Sequence, residues 1–172
     1  MSTHRLPILN FNAVPDTSGD VWVAPLSTEL ALASAPGNEL CMVLPAAATI
    51  SADTGIYGKF IVPNTFATGS ETIVIRGILD GAPASLVIAF GIQVNAVADD
   101  ETYDAALGTQ DIASASSVSQ ADEDVYEETI DVSGTTFAAN DEVNFFFFID
   151  DSVHTYTGLF LLTGLYFEYT DA

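Results

Sequence analysis

Apolar residues occupy both faces of the strand-like segment that ends the chain, TGLFLLTGLYFEYTDA at 157–172. Successive side chains of a β-strand point to opposite faces. Strict alternation therefore predicts two apolar rows, one of Leu159, Leu161, Leu165, Phe167 and Tyr169, the other of Phe160, Leu162 and Tyr166. A strand with one face in water has polar residues at alternate positions, so this segment predicts protein on both of its sides.

The segment NFFFFID at 144–150 has the same property. Phe145 and Phe147 point one way, and Phe146 and Phe148 point the other. Leaving Phe146 and Phe148 in water would forgo about 1.5–3 kcal/mol each and expose an aggregation-prone surface. We expect one row to form the core and the other to be covered, either by a subunit interface or by the N-terminal part of the chain.

The residues that we expect at such an interface belong to the outer rows or to the aromatic part of the N-terminal segment. They are Phe146, Phe148, Phe160, Leu162, Tyr166 and Trp22. Symmetric closure lets one surface serve every copy, and we expect a homotrimer.

Period-2 patterning recurs along the whole chain, whereas no window keeps a helical period for more than a few turns. Turn-forming residues separate the strand-like runs, as in PDTSGD at 15–20. The Asp80–Gly81 pair predicts a tight hairpin that joins 71–79 to 84–97. The sequence predicts an all-β fold, a jelly-roll-like antiparallel β-sandwich with an extended N-terminal arm.

The length of 172 residues suits one core. Prolines interrupt the first third, and proline is tolerated only at the edges and ends of sheets. We therefore divide the chain into 1–36, an extended arm or edge segment, and 37–172, the sandwich. Within the sandwich, the acidic stretch 98–128 predicts an exposed excursion.

The chain has 24 Asp and Glu residues against three Lys and Arg, which leaves a formal net charge of −21. Three scattered cations cannot form the basic footprint that nucleic acid or an anionic membrane requires. Cys41 is the one cysteine, and it lies in the apolar run LCMVL, where we expect a buried hydrophobic side chain.

Catalytic and ligand-binding motifs are largely missing. The sequence contains no Gly-x-Ser-x-Gly elbow and no glycine-rich phosphate loop. His154 follows two aspartates, but we expect it at a solvated loop tip without a functional role. The acidic runs at 99–104 and 122–124 offer oxygen ligands without the EF-hand pattern, which favours a solvated face. We expect no enzyme, no metal and no cofactor.

Three segments carry a resemblance to a known group: FIVPNTFATGSETIVIRGIL at 60–79, TTFAANDEVNFFFFIDDS at 135–152 and the chain ending at 157–172. Together they resemble a group of tailed-virus structural proteins, which close on a similar LxGLYFEYTD ending, and the similarity covers roughly the last two thirds of this sequence. The connection FIDDSVHTYTG departs from the group, since it is shorter and has no arginine. The resemblance implies a jelly roll in a bacteriophage-like particle.

The function that this resemblance implies is that of a capsid cement, or decoration, protein. It would be made in the host cytoplasm, bind the major capsid protein on the capsid exterior and stabilise the virion. The alternative is a receptor- or carbohydrate-binding module of a head or tail fibre, for which the candidate stacking aromatics are Trp22, Tyr57, Tyr103, Tyr126 and Tyr156. A polysaccharide hydrolase is the weakest hypothesis, because carboxylates are too abundant here for any pair to be informative.

Overall fold

The computed structural model describes residues 2–8, 10–13, 22–25, 40–47, 53–81, 86–98, 101, 107–108, 110–112, 116–118, 120–122 and 124–171. In these ranges the chain forms strands and connecting turns, without an α-helix. The strands are β1 (Thr3–Pro7), β2 (Asn10–Ala13), β3 (Trp22–Pro25), β4 (Leu40–Leu44), β5 (Thr54–Ile61), β6 (Phe66–Asp80), β7 (Val87–Ile88), β8 (Phe90–Val97), β9 (Gln110–Ile112), β10 (Ser116–Ser117), β11 (Val125–Asp131), β12 (Glu142–Ile149) and β13 (Leu159–Asp171).

Two antiparallel sheets face each other. The first has the order β11-β6-β13-β4-β3, with β1 also paired to β13, and the second has the order β2-β5-β12-β8-β9. The strands β7 and β10 form a short separate pair. Aromatic rings join the sheets across the core, as Phe90 of the second sheet does with Phe160 of the first, at 5.0 Å between ring centroids. The predicted β-sandwich is confirmed.

Strand β13 contains an irregularity that the alternation pattern did not predict. Its pairing with β6 shifts between Leu162 and Gly164, so Thr163 is an extra residue. An extra residue moves the side chains that follow it to the opposite face. Phe160 and Leu162 therefore share the sandwich core with Leu165, whereas strict alternation placed them on opposite faces.

A second, smaller hydrophobic cluster lies on the other side of the first sheet. Cys41, Val43 and Leu161 are buried there, and Ile78 and Leu159 pack against them. The prediction that β13 is covered on both sides is confirmed at this point. The buried state expected for Cys41 is confirmed as well.

The hairpin predicted at Asp80–Gly81 was wrong. Strand β6 pairs with β11 on one side and β13 on the other, which leaves it no free edge for the segment 84–97. The chain instead crosses to the second sheet, where β8 pairs with β12 and β9. Gly81 still adopts a positive φ of 127°, and its amide N–H donates to Asp122 Oδ1 at 2.7 Å.

The first three strands all join the sandwich. Strand β1 lies along β13, β2 forms one edge of the second sheet, and β3 forms one edge of the first. Arg5 of β1 forms ion pairs with Glu168 at 2.7 Å and with Glu127 at 3.0 Å, and these hold β1 against the first sheet. The boundary at residue 36 lies outside the described residues. From the acidic stretch 98–128, β9 pairs with β8 at the edge of the second sheet, β10 pairs with β7, and Val118 is buried.

His154 is buried, with 5% of its surface exposed, so the expectation of a solvated loop tip was wrong. Its backbone N–H donates to the Asp150 carbonyl at 3.0 Å, which draws the residue under the turn. Neither ring nitrogen has a hydrogen-bond partner among the described residues. Burial lowers the pKa of His154 to about 4, against the opposing charge of Asp150.

No helix in the described ranges is long and apolar enough to cross a membrane.

The pKa of His154 predicts a loss of stability in mild acid. The unfolded chain protonates this histidine near pH 6.5, while the folded protein keeps it neutral down to about pH 4. The free energy of unfolding should therefore fall by about 2 kcal/mol from pH 7 to pH 5 through this group alone. Urea unfolding of wild type and of His154→Leu at both pH values isolates it, since only the wild type should show this component. Parallel pH dependences would contradict the assignment.

Gly77 of β6 predicts a second stability effect, because a Cβ at this position would collide with the Phe160 ring and the Leu161 carbonyl. We expect Gly77→Ala to lower the free energy of unfolding by about 1–3 kcal/mol through overpacking. The matched control is Gly134→Ala, whose Cβ would meet nothing within 4 Å. Urea unfolding of both variants checks this, and equal stabilities would show that the core at Gly77 can relax.

Candidate functional site

Strand β12 gives the second sheet its two aromatic faces. Phe145 and Phe147 point inward and are buried in the core. The opposite row points away from the first sheet, and pairing with β5 and β8 sets its neighbours, because residues opposite each other share a face. We call this surface the outer face, and its side chains are Tyr57, Lys59, Ile61, Gln93, Asn95, Asn144, Phe146 and Phe148.

Three aromatic rings stack across the outer face. Tyr57 and Phe146 lie 4.5 Å apart between ring centroids at an interplanar angle of 23°. Phe146 and Phe148 lie 5.1 Å apart at 18°. Phe148 is only 1% exposed, Phe146 is half-buried and Tyr57 is 45% exposed. The stack is therefore closed at Phe148 and open to solvent at Tyr57.

Gly91 explains why Phe148 can lie down on the sheet. The two residues are register partners, and a Cβ at Gly91 would collide with the Phe148 ring. Without that Cβ the ring can lie over the neighbouring strand β8. The Phe148 ring in turn supports one side of Phe146.

Polar side chains lie beside the aromatic stack on the outer face. Gln93 is the register partner of Phe146, and Asn95 is the partner of Asn144. The cation of Lys59 is paired with the carboxylate of Glu142, at 3.1 Å between Nζ and Oε2. The described outer face thus combines one exposed aromatic ring with amide side chains and a compensated ion pair.

The residues predicted for an interface do not form one surface. Phe146 and Phe148 lie on the outer face, as expected. Phe160 and Leu162 are 1% and 3% exposed inside the core, so their outward placement was wrong, and the extra residue Thr163 is the reason. Tyr166 is half-buried on the first sheet, where Pro7 of β1 is its register partner.

Trp22 belongs to β3, where its backbone pairs with Val43; its side chain lies outside the described residues. The interface itself stays a prediction.

The candidate sugar-stacking aromatics separate clearly. Tyr126 is buried, its hydroxyl donates to Glu128 at 3.0 Å, and burial raises its pKa. Tyr156 is fully buried, and its hydroxyl donates to the Gly81 carbonyl at 3.0 Å. Burial, with the charges of two nearby aspartates, raises the pKa of Tyr156 to about 12. Tyr103 lies outside the described residues, which leaves Tyr57 as the exposed ring among those described.

One carboxylate group was not predicted from the sequence. Asp53, Asp150 and Asp151 each bring an oxygen within 4.8 Å of the others, and no other cluster of this kind occurs in the described residues. Pairing of Thr54 with Ile149 brings Asp53 to the other two. Burial, then the two neighbouring charges, raises the pKa of Asp53. Oxygen atoms in this arrangement have the chemistry to hold a hard cation such as calcium.

Two described members of the acidic runs weighed for calcium accept hydrogen bonds in turns. Glu101 accepts from the Ala98 amide at 3.1 Å, and Asp124 accepts from the Ala121 amide at 2.9 Å. These bonds satisfy backbone groups within single turns. Asp99, Asp100, Asp104 and Glu123 lie outside the described residues.

Comparison with known proteins identifies relatives by fold. No protein-family model and no curated protein sequence matches the chain. Among solved structures, the chain is similar to the CBM22-1–GH10 modules of endo-1,4-β-D-xylanase 10B from Clostridium thermocellum, complexed with xylohexaose, with a TM-score of 0.50 and 10% identity. The alignment covers 97% of this chain and 27% of the xylanase chain, so the protein corresponds to about a quarter of that structure.

A second similar structure is the K1 cleaved adhesin domain of Lys-gingipain from Porphyromonas gingivalis. It has a TM-score of 0.41 and 12% identity, and 99% of each chain is covered. At 10% identity, the similarity to the xylanase structure shows a shared β-sandwich fold and nothing beyond it.

Proposed function

We propose that this protein is a non-enzymatic binding module that recognises a glycan through the outer face of the second sheet. The observation that carries the proposal is the Tyr57 ring, which is 45% exposed while Phe146 supports it at 4.5 Å. A large aromatic ring that remains open on a flat sheet face is a typical platform for the apolar face of a sugar.

The stack also orders the Tyr57 ring before a ligand binds. A side chain that is already ordered loses little conformational entropy when a ligand packs on it. Phe146 is held between Tyr57 and Phe148, so the platform rests on rings that are themselves fixed. This arrangement favours binding over a role as an incidental surface side chain.

The polar side chains of the outer face can form the hydrogen bonds that sugar recognition also requires. Hydroxyl groups donate and accept hydrogen bonds, and amide side chains such as those of Gln93 and Asn95 can do both. On the described outer face, the ionisable pair Lys59–Glu142 is engaged with itself at 3.1 Å. That pairing favours binding over acid–base chemistry on this surface.

The shared fold selects the first ligands to test. A β-sandwich serves many functions, so the fold does not decide among them. The similar Clostridium thermocellum structure is a complex with xylohexaose, which makes neutral linear hexasaccharides a reasonable starting panel. The high negative charge of the chain disfavours anionic glycans for the same electrostatic reason that it disfavours nucleic acid.

The test is titration calorimetry with cellohexaose, mannohexaose and xylohexaose, after a screen on a glycan array. We expect Tyr57→Ala to weaken binding by about tenfold or more, equal to about 1.4 kcal/mol, because the stacking surface is lost. Tyr57→Phe should keep most of the affinity. Ile61→Ala is the matched control, since Ile61 lies on the same strand and face and is 51% exposed. Unchanged binding by Tyr57→Ala, or no binding by the wild type, would refute the proposal.

A second candidate function is the viral one, a capsid cement protein that assembles as a homotrimer on the major capsid protein at the virion exterior. The resemblance at 135–152 and 157–172 supports it, together with the apolar part of the outer face, where Ile61 and Tyr57 are both exposed.

Mass measurement separates the two candidates. Size-exclusion chromatography with light scattering at micromolar concentration should give three times the 18.1 kDa chain mass if the outer face is a trimer interface. Phe146→Asp should then return the protein to a monomer. A glycan-binding module with a free outer face should instead be monomeric as wild type, and that result would remove the trimer.

A further inference from the structure

A polar cleft of about 480 Å³ opens at the edge of the second sheet, beside the end of β8. We call it the edge cleft. Its volume falls within the range of small-molecule sites. Its lining comes from β8, β9 and the turn that follows β11, and consists of Val94, Asn95, Ala96, Gly108, Asp111, Gly134, Thr135 and Thr136.

The backbone of β8 contributes an open edge to this cleft. Strand β9 pairs only with Gly91–Gln93, and beyond that point the Val94 carbonyl accepts from the Gly108 amide at 3.0 Å. Residues two apart on a strand direct their backbone groups to the same side, so the N–H and carbonyl of Ala96 also face this edge. Among the described strands, none pairs with Ala96 at this edge.

The side chains of the cleft have the same mixed character. Asp111 is half-buried and can only accept hydrogen bonds when ionised, whereas Thr135 and Thr136 offer hydroxyls that donate and accept. Burial raises the pKa of the Asp111 carboxyl, and the charge of Asp131 adds to that effect. The negative charges of Asp111 and Asp131 would repel a ligand carboxylate or sulfate, so the cleft disfavours anionic groups.

Asn95 lines the edge cleft while its register puts it on the outer face, whereas Asp111, the register partner of the core residue Ile92, lies on the inner side of the sheet. A ligand that reaches both therefore passes around the sheet edge at the end of β8. Tyr57, Phe146 and Gln93 are opposite one another on three adjacent strands, and Asn95 lies two residues further along β8. Strand spacing and rise therefore place Asn95 about 12 Å from Tyr57. An oligosaccharide can span this distance, and a single sugar ring cannot.

We propose that the edge cleft is a second sugar subsite, which binds one neutral sugar residue of an oligosaccharide whose other part stacks on Tyr57. The inference rests on the proposed glycan-binding function and adds the ligand class, a neutral chain longer than a disaccharide. The hydroxyls of the sugar bind Asp111 and the two threonines, and Asn95 binds at the rim of the cleft.

The test compares ligand lengths in calorimetry, with the three hexasaccharides named above and the corresponding disaccharides. Wild type should bind the best hexasaccharide about tenfold more tightly than its disaccharide. Gly134→Trp should remove that preference, because the indole fills the cleft; a Cβ at Gly134 meets nothing within 4 Å, so the fold is spared. Asp111→Asn should weaken the hexasaccharide about fivefold and leave the disaccharide unchanged.

Asp151→Asn is the matched control, since it removes one negative charge at the opposite end of the second sheet. It should change the affinity for neither the hexasaccharide nor the disaccharide. Thermal unfolding followed by circular dichroism shows whether each variant is folded. If Gly134→Trp is unfolded, Asp111→Asn alone tests the subsite. If both cleft variants keep the wild-type length preference while Tyr57→Ala loses binding, the subsite is wrong and the glycan-binding function stands. If no hexasaccharide binds the wild type, both are wrong.

Discussion

The pairing of β12 with β5 and β8 is the interaction on which the rest of the structure depends. Eight residues of β12 pair on each side, so the strand is the centre of the second sheet. Alternation then sends Phe145 and Phe147 into the core, where Phe147 stacks on Phe90 at 5.5 Å. The same alternation sends Phe146 and Phe148 outward. One strand thereby supplies part of the hydrophobic core and the support for the exposed ring of Tyr57.

Charge shapes the protein in a different way from burial. With 24 carboxylates and three Lys and Arg residues, most acidic groups have no cation within reach. The three cations pair with carboxylates on neighbouring strands: Arg5 of β1 with Glu168 of β13, Lys59 of β5 with Glu142 of β12, and Arg76 of β6 with Glu127 of β11. Many other carboxylates accept hydrogen bonds from backbone amides in turns, as Asp131 does from Ser133 at 2.9 Å. The excess negative charge therefore repels anionic ligands and disfavours their approach relative to neutral ones.

The predictions about faces succeeded where the alternation was unbroken and failed where it was interrupted. In β12 it runs without a shift, and both aromatic rows lie as predicted. In β13 the extra residue Thr163 exchanges the faces, which moved Phe160 and Leu162 into the core. The signal in TGLFLLTGLYFEYTDA is the Thr163–Gly164 pair, because glycine within a strand often marks a bulge, but apolar residues occupy both faces and either register would bury them. The Asp80–Gly81 turn failed for a related reason: a turn signal shows that the chain reverses, and it carries no information about which sheet receives the next strand.

The sequence by itself determined the fold class, the approximate strands, the acidic surface and the candidacy of Tyr57, since each of these depends on local pattern or on composition. Tertiary structure decided the strand order, the burial of Tyr126, Tyr156 and His154, and the approach of Asp53 to Asp150. It also decided that Tyr57 alone among the described candidate aromatics is exposed, and that Asn95 links the outer face to the edge cleft. These properties depend on contacts between residues far apart in the chain, and the side-chain period of a strand says which residues share a face without saying what that face meets.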